Sequence, residues 1–288
     1  MQPDKFLFLF CRTLLSRKLK FENALAVDKS GELWYDRISY YEKLWLIEFP
    51  ETSRTISWNF REEILLMGKL IVIEGTDGSG KSTQFRLLTE RLTQEGRDFR
   101  QLEFPQYSEP SSALIRMYLG GEFGSKPSDV NAYAASAFYA VDRYASYKKV
   151  WGEWYENGGL VLSGRYTTSN AVHQASKVPD EEQKDFLRWL YEFEYDKLGL
   201  PCPDLVIYLD VPTDFTERMM RSREAATHTS ADIHEKDLAY LATCRRMGRT
   251  AASYYNWTVI DCVRDDQMRS IEDIQKEIYR HVRACLED

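Results

Sequence analysis

No stretch of this 288-residue chain stays apolar for the roughly 18 residues that a membrane-spanning helix needs. The apolar start at residues 6–10 is broken by Arg12 and followed by no small-residue cleavage site, so a secretory leader is not expected. Residues 5–20 are basic and free of acids, as an organelle-targeting peptide would be, but they lack its serine richness. A basic excess is also missing. The net charge of −7 argues against a general nucleic-acid binder while leaving room for a local basic pocket. Cysteines are few: Cys11, Cys202, Cys244, Cys262 and Cys285 are odd in number, scattered and without a CxxC pair. They read as reduced packing thiols of a cytoplasmic protein. There is no internal repeat and no low-complexity stretch.

What is present divides at Met67. Residues 1–66 hold three of the seven tryptophans but show no periodic face and no motif, and their ten basic and ten acidic residues cancel. Arg61-Glu62-Glu63 is encodable in purine-only codons, as a bacterial ribosome-binding site would be, four codons ahead of Met67. Residues 1–66 are therefore expected to be either a leader read in frame or a regulatory or targeting extension. The working domain is expected to span 67–288. From Met67 the text alternates between β-branched runs and helical stretches. Strands are expected at 69–73, 98–104, 159–163, 204–209 and 257–260, with helices at about 82–95, 130–156 and 271–282. That alternation gives an α/β fold: a five-stranded parallel sheet flanked by helices in three layers.

Between the first strand and first helix stands Gly75-Thr76-Asp77-Gly78-Ser79-Gly80-Lys81-Ser82, which satisfies G-x-x-x-x-G-K-[ST]. The glycines let the backbone curl so that several N–H groups face phosphate oxygens, and the following helix turns its positive end to the same place. Lys81 supplies a mobile charge for the β and γ phosphates, and the Ser82 hydroxyl can ligate Mg²⁺. The expected ATP-binding set is Gly75, Gly78, Ser79, Gly80, Lys81, Ser82 and Thr83.

From Met67 onward the chain resembles the thymidylate kinase family of P-loop nucleoside monophosphate kinases. The resemblance rests on the phosphate loop with Thr83-Gln84, Phe104-Pro105, the run from Phe138 to Arg143, Arg165-Tyr-Thr-Thr-Ser169 with Gln174, and the strand at 204–210. It implies phosphorylation of dTMP to dTDP with ATP and Mg²⁺, in a cytoplasmic homodimer. Tyr139 offers an aromatic face to thymine. Arg143 carries only donors, which suit the thymine O4 and oppose the amino group of cytosine. Gln174 matches the N3–H and O4 edge, with Ser169 and Asn170 close to the base. The resemblance makes Asp77 the acceptor for the sugar 3′-hydroxyl, Phe104 part of the substrate-side turn and Arg165 the contact to the acceptor phosphate.

A lid is expected at about 218–234, with Arg221 and Arg223 as catalytic arginines, because Gly78 stands where one class of the family places an arginine. Three positions depart from the family pattern. Gly164 replaces the aspartate before Arg165, Gln106 and Tyr107 stand where an arginine often does, and His173 replaces the aromatic near the ribose 2′-position. Two other functions fit the same residues: a kinase for another monophosphate or a deoxynucleoside, and a weakly catalytic nucleotide-binding regulator that lacks the carboxylate at 164.

Overall fold

The structure, a computed structural model, describes residues 67–227 and 237–287, with side chains for 67–221 and 237–287, together with the backbone of a two-strand pairing of Ala26–Val27 and Leu33–Trp34. The chain divides into two units, Met1–Arg61 and Glu62–Asp288. The expectation about residues 1–66 otherwise lies outside the described residues.

The second unit contains all five expected strands: β1 (Leu70–Gly75), β2 (Phe99–Glu103), β3 (Leu160–Gly164), β4 (Leu205–Asp210) and β5 (Thr258–Asp261). They are parallel and lie in the order β2-β3-β1-β4-β5. β1 is buried on both faces, as its run of apolar residues requires. Its side chains alternate. Ile71 and Ile73 join Leu88, Leu92, Ile207, Leu209, Ile274, Ile278 and Val282 in one core, while Leu70 and Val72 join Tyr147, Trp151, Val161 and Val206 in the other. The strand order reverses around β1, so a crevice opens at the carboxyl ends of β1, β3 and β4, where ligands of such sheets bind.

The longer helices among the described residues are α1 (Lys81–Gln94), α2 (Ala113–Leu119), α3 (Ala132–Ser146), α4 (Gln183–Tyr191), α5 (Thr213–Thr227), α6 (Leu238–Tyr255) and α7 (Ile271–Glu287). The Asn131 Oδ1 caps α3 by accepting from the Ala134 N–H at 2.8 Å. α3 continues through a π turn, Tyr147–Trp151, into Gly152–Glu156, so the expected 130–156 helix is one rod with a widened turn. α6 lies close to β4 because Gly248 has no side chain: a Cβ there would sit 2.2 Å from the Tyr208 Oη. None of the described helices is long and apolar enough to cross a membrane.

The expected lid begins within a helix. Helix α5 runs on to Thr227, so Arg218 and Arg221 lie on a regular helix and pair four residues back with Asp214 and Glu217. Acid-to-arginine pairs at that spacing favour continued helix over loop. The remainder of the expected lid, from residue 228, and the Arg223 side chain lie outside the described residues.

Candidate functional site

The glycine-rich turn after β1 has the conformation its sequence demands. Gly78 and Gly80 adopt φ of 76° and 82°, a region that costs other residues about 1–2 kcal/mol. A Cβ on Gly78 would also lie 2.6 Å from the Thr216 carbonyl oxygen. Inside the turn the Ser79 hydroxyl is buried with no protein partner. A buried hydroxyl without a partner is expensive, and a phosphate oxygen is a suitable one. Lys81 opens α1 and donates from Nζ to the Thr76 carbonyl at 2.7 Å, with Asp77 4.0 Å away. Ser82 is exposed one residue on, so its hydroxyl is available to a metal ion beside the phosphates. Among the described residues no three His, Cys, Asp or Glu side chains cluster as a metal site.

Across the crevice, β3 ends in Gly164 and Arg165. Arg165 holds φ of 70°, a strained choice for a non-glycine residue. Its guanidinium is ion-paired with Asp77, lies 3.8 Å from Glu74, and meets the His173 Nε2 at 3.2 Å and the Ser169 Oγ at 3.5 Å. Burial works against its charge, but Asp77 and Glu74 outweigh that and hold it firmly protonated. Tyr107 and Tyr139 lie within electrostatic reach of the same group. The structure thus brings Asp77, Lys81, Arg165, Ser169 and Tyr139 around one crevice. Phe104 is buried against Tyr166 at its side, with ring centroids 6.1 Å apart. Arg221 is not part of this group. It is exposed, and its recorded contact is with Glu217 on its own helix.

Two buried acids organise the site, and sequence reasoning missed both. Glu74, at the end of β1, accepts from the Thr168 Oγ1 at 2.7 Å, the Ser169 Oγ at 2.6 Å and the Gly75 N–H at 2.9 Å, tying the phosphate loop to the segment after β3. An acid closing an apolar strand was the available signal, since a buried carboxylate needs partners. Glu194 lies in the π turn Glu192–Lys197 and grips Arg143 through both oxygens, at 2.7 and 2.5 Å. Arg143 is buried, at 1% exposed, and also donates to the Tyr166 carbonyl. These contacts engage three of its five N–H groups. Asn170 donates to the same Glu194, and Gln174 is buried one turn further on. A third acid, Asp142, fixes the substrate-side turn by accepting from the Gln106 N–H and the Ser111 hydroxyl.

Asp210, at the end of β4, is clasped by Arg245 at 2.8 Å and Arg249 at 2.6 Å. Burial alone would raise its pKa, but the two guanidiniums outweigh that and hold it below the ordinary value. Both its oxygens accept from these guanidiniums.

Lys177 follows the helical turns after Arg165 and donates to the Tyr118 Oη at 2.6 Å and the Val130 carbonyl at 3.2 Å. Burial pushes its amine down to about 7. Between pH 7 and about 10.4 the unfolded chain binds a proton there that the folded chain does not. The native state is penalised most below pH 7, and the penalty fades as pH rises. Relative to Lys177→Met, the wild-type melting temperature is expected to climb from pH 6.5 to 9. Parallel curves would show that Lys177 does not titrate in this range.

The family model for thymidylate kinase matches residues 73–278. The thymidylate kinase of Mycobacterium tuberculosis (strain ATCC 25618 / H37Rv) is 32% identical over 172 residues, which are 58% of this chain and 78% of that one. A probable thymidylate kinase of Pyrobaculum aerophilum is 28% identical over 212 residues, 73% of this chain and 97% of the relative. A solved thymidylate kinase from Candida albicans shares the fold, with a TM-score of 0.56 and 21% identity over 76% of this chain and 92% of that chain.

Proposed function

This chain belongs to the thymidylate kinase family, and from that premise we propose that it transfers the γ-phosphoryl group of ATP to dTMP, giving dTDP and ADP. The observation that carries the reading is the clasp of Arg165 on Asp77, which joins a phosphate cradle to a second cationic group across the crevice. An oxygen of the acceptor phosphate attacks the γ-phosphorus, and the bond from that phosphorus to its bridging oxygen breaks as ADP leaves. The loop N–H groups, the Ser79 hydroxyl and Lys81 hold the donor phosphates. Arg165 exchanges part of its contact with Asp77 for the acceptor phosphate and neutralises charge as the two nucleotides approach. Ser82, exposed at the start of α1, would hold a Mg²⁺ ion there, which would supply charge neutralisation for the donor phosphates. Tyr139 stacks on the base, Asp77 accepts from the sugar 3′-hydroxyl, and Arg143, Asn170 and Gln174 face the base edge. Phe104 backs the substrate-side turn. Arg223 remains the lid candidate, with Arg221 joining only if its pair with Glu217 opens. A cytoplasmic homodimer accompanies this reading on the family resemblance alone.

A coupled assay across nucleoside monophosphates tests the reading, with dTMP expected to turn over fastest. A clear preference for another monophosphate would overturn it. Position 164 gives the assay a second use. A Cβ on Gly164 would meet nothing nearer than the Phe85 ring at 3.9 Å, so an aspartate fits there. Gly164→Asp restores a carboxylate beside the phosphates, and kcat is expected to rise about tenfold, or about 1.4 kcal/mol of barrier. The Mg²⁺ concentration for half-maximal rate should fall with it. An unchanged or lower rate in a folded variant would show that the missing carboxylate does not limit this enzyme.

A further inference from the structure

Asn170 is 1% exposed, and both hydrogens of its amide nitrogen are committed. One goes to the Ser136 carbonyl at 3.2 Å and the other to the Glu194 Oε1 at 2.8 Å. A carbonyl and a carboxylate are acceptors only, so the amide has one orientation, with its oxygen turned away from them. Among the described residues nothing donates to that oxygen. The same Glu194 Oε1 accepts from the Arg143 Nη2 at 2.5 Å, and Oε2 accepts from Nε at 2.7 Å. The Arg143 Nη1 donates to the Tyr166 carbonyl at 3.3 Å, leaving two N–H donors for a ligand. Glu194 itself is 0% exposed, so bulk solvent does not reach its oxygens. One carboxylate thereby holds a donor and an acceptor side by side. Gln174, on the same helical turn as Asn170, adds a second buried acceptor, Oε1, that meets no protein donor.

We infer that Glu194 is the positioning residue that sets the hydrogen-bond polarity of the base pocket. It holds Arg143, always a donor, in place and fixes Asn170 as acceptor, the complement of a pyrimidine with a carbonyl at C4 and an N–H at N3. Cytosine reverses both groups, with an amino donor at C4 and a bare acceptor at N3. It meets donor against donor and acceptor against acceptor, and leaving such buried groups unpaired is what makes rejection strong. Without an acid at 194, only the longer bond to the Ser136 carbonyl still orients the Asn170 amide, and Arg143 loses its anchor. The inference rests on the dTMP reading.

The test compares full-length wild type, Glu194→Gln and Glu194→Asp for kcat and KM with dTMP and with dCMP, alongside thermal melting. In Glu194→Gln the ratio of kcat/KM for dTMP over dCMP is expected to fall at least tenfold. The fall should come from a higher KM for dTMP, with kcat changing less. Glu194→Asp keeps the charge but shortens its reach, and should give an intermediate ratio. A merely structural acid would lower the melting temperature and both activities together and leave the ratio intact, which would overturn the inference. If Glu194→Gln does not fold, Glu194→Asp decides: a narrowed ratio supports the inference and an unchanged one sinks it. Wild type that prefers dTMP, with both variants preserving that preference, refutes the role of Glu194 alone. Wild type without dTMP turnover refutes the functional reading and this inference with it.

Discussion

Lys81→Ala is expected to reduce kcat for phosphoryl transfer about a thousandfold or more, which is about 4 kcal/mol of barrier, while the protein melts close to the wild-type temperature. The reasoning runs from where the side chain is. Lys81 begins α1 at the mouth of the phosphate loop, and its ammonium meets the Thr76 carbonyl and approaches Asp77 rather than entering either core cluster. Truncation removes no apolar packing of consequence, so stability should change by less than about 1 kcal/mol, the ordinary size of one partly exposed hydrogen bond. The charge, by contrast, stands where negative charge gathers between the two nucleotides. No other lysine occupies the loop, and Arg165 is engaged by Asp77 on the acceptor side. A coupled assay with a melting curve on the same sample reads both quantities. A kcat within tenfold of wild type would refute the placement of the donor phosphates.

Arg143→Ala is expected to destabilise the fold by about 3–5 kcal/mol, because it leaves the Glu194 carboxylate buried without its main partner. For a domain of this size that is a fall of roughly 10 °C in melting temperature. The remaining donor to Glu194, Asn170, is neutral and offers a single hydrogen, which does not compensate a charge. Arg143→Met combined with Glu194→Met removes both charges and should recover a good part of the loss, since an apolar pair of similar volume often replaces a buried ion pair without penalty. Urea unfolding of the two variants measures this directly. A loss below 1 kcal/mol in Arg143→Ala would mean that the pair is not what holds α3 to the turn carrying Glu194. Surviving protein should also discriminate less between thymine and cytosine, because the donor toward O4 is gone.

The sequence alone suggests a much milder phenotype for Arg143, and the difference shows where sequence reading stops. The five strands and the phosphate loop are written locally. A β-branched run such as Leu70–Gly75 and a G-x-x-x-x-G-K-S turn each declare themselves within a few neighbours. Arg143 also declares itself, four residues after Tyr139 on one helix face. Its partner does not, because Glu194 lies 51 residues away in a stretch of mixed aromatic and acidic residues with no period to read. The same holds for Glu74 with Thr168 and Ser169, and for Asp210 with Arg245 and Arg249. Such pairs are fixed by the stacking of elements and by no local rule. Arg218 and Arg221 look like a solvated cationic run, yet Asp214 and Glu217 stand one turn before them and keep the chain helical. The helix Gln183–Tyr191 buries Gln183, Phe186, Leu187 and Leu190 at helical spacing, a signal that the sequence does carry, whereas the short helix Ala113–Leu119 buries only Ile115 and Tyr118.

The close approach of α6 to β4 constrains how this protein can diverge. With the Tyr208 hydroxyl occupying the space of a Cβ at Gly248, the two positions are not independently mutable. Any side chain at 248 collides while the tyrosine remains, whereas a smaller residue at 208 leaves a void that glycine cannot fill. Drift across this contact has a preferred order: 208 must shrink before 248 can grow. The intermediate carries a cavity, which a lineage tolerates only while it has stability to spare. Saturation libraries at 248 alone would return glycine almost exclusively and suggest a catalytic requirement where there is only a steric one. A paired library would reveal large-small exchanges that single substitutions conceal.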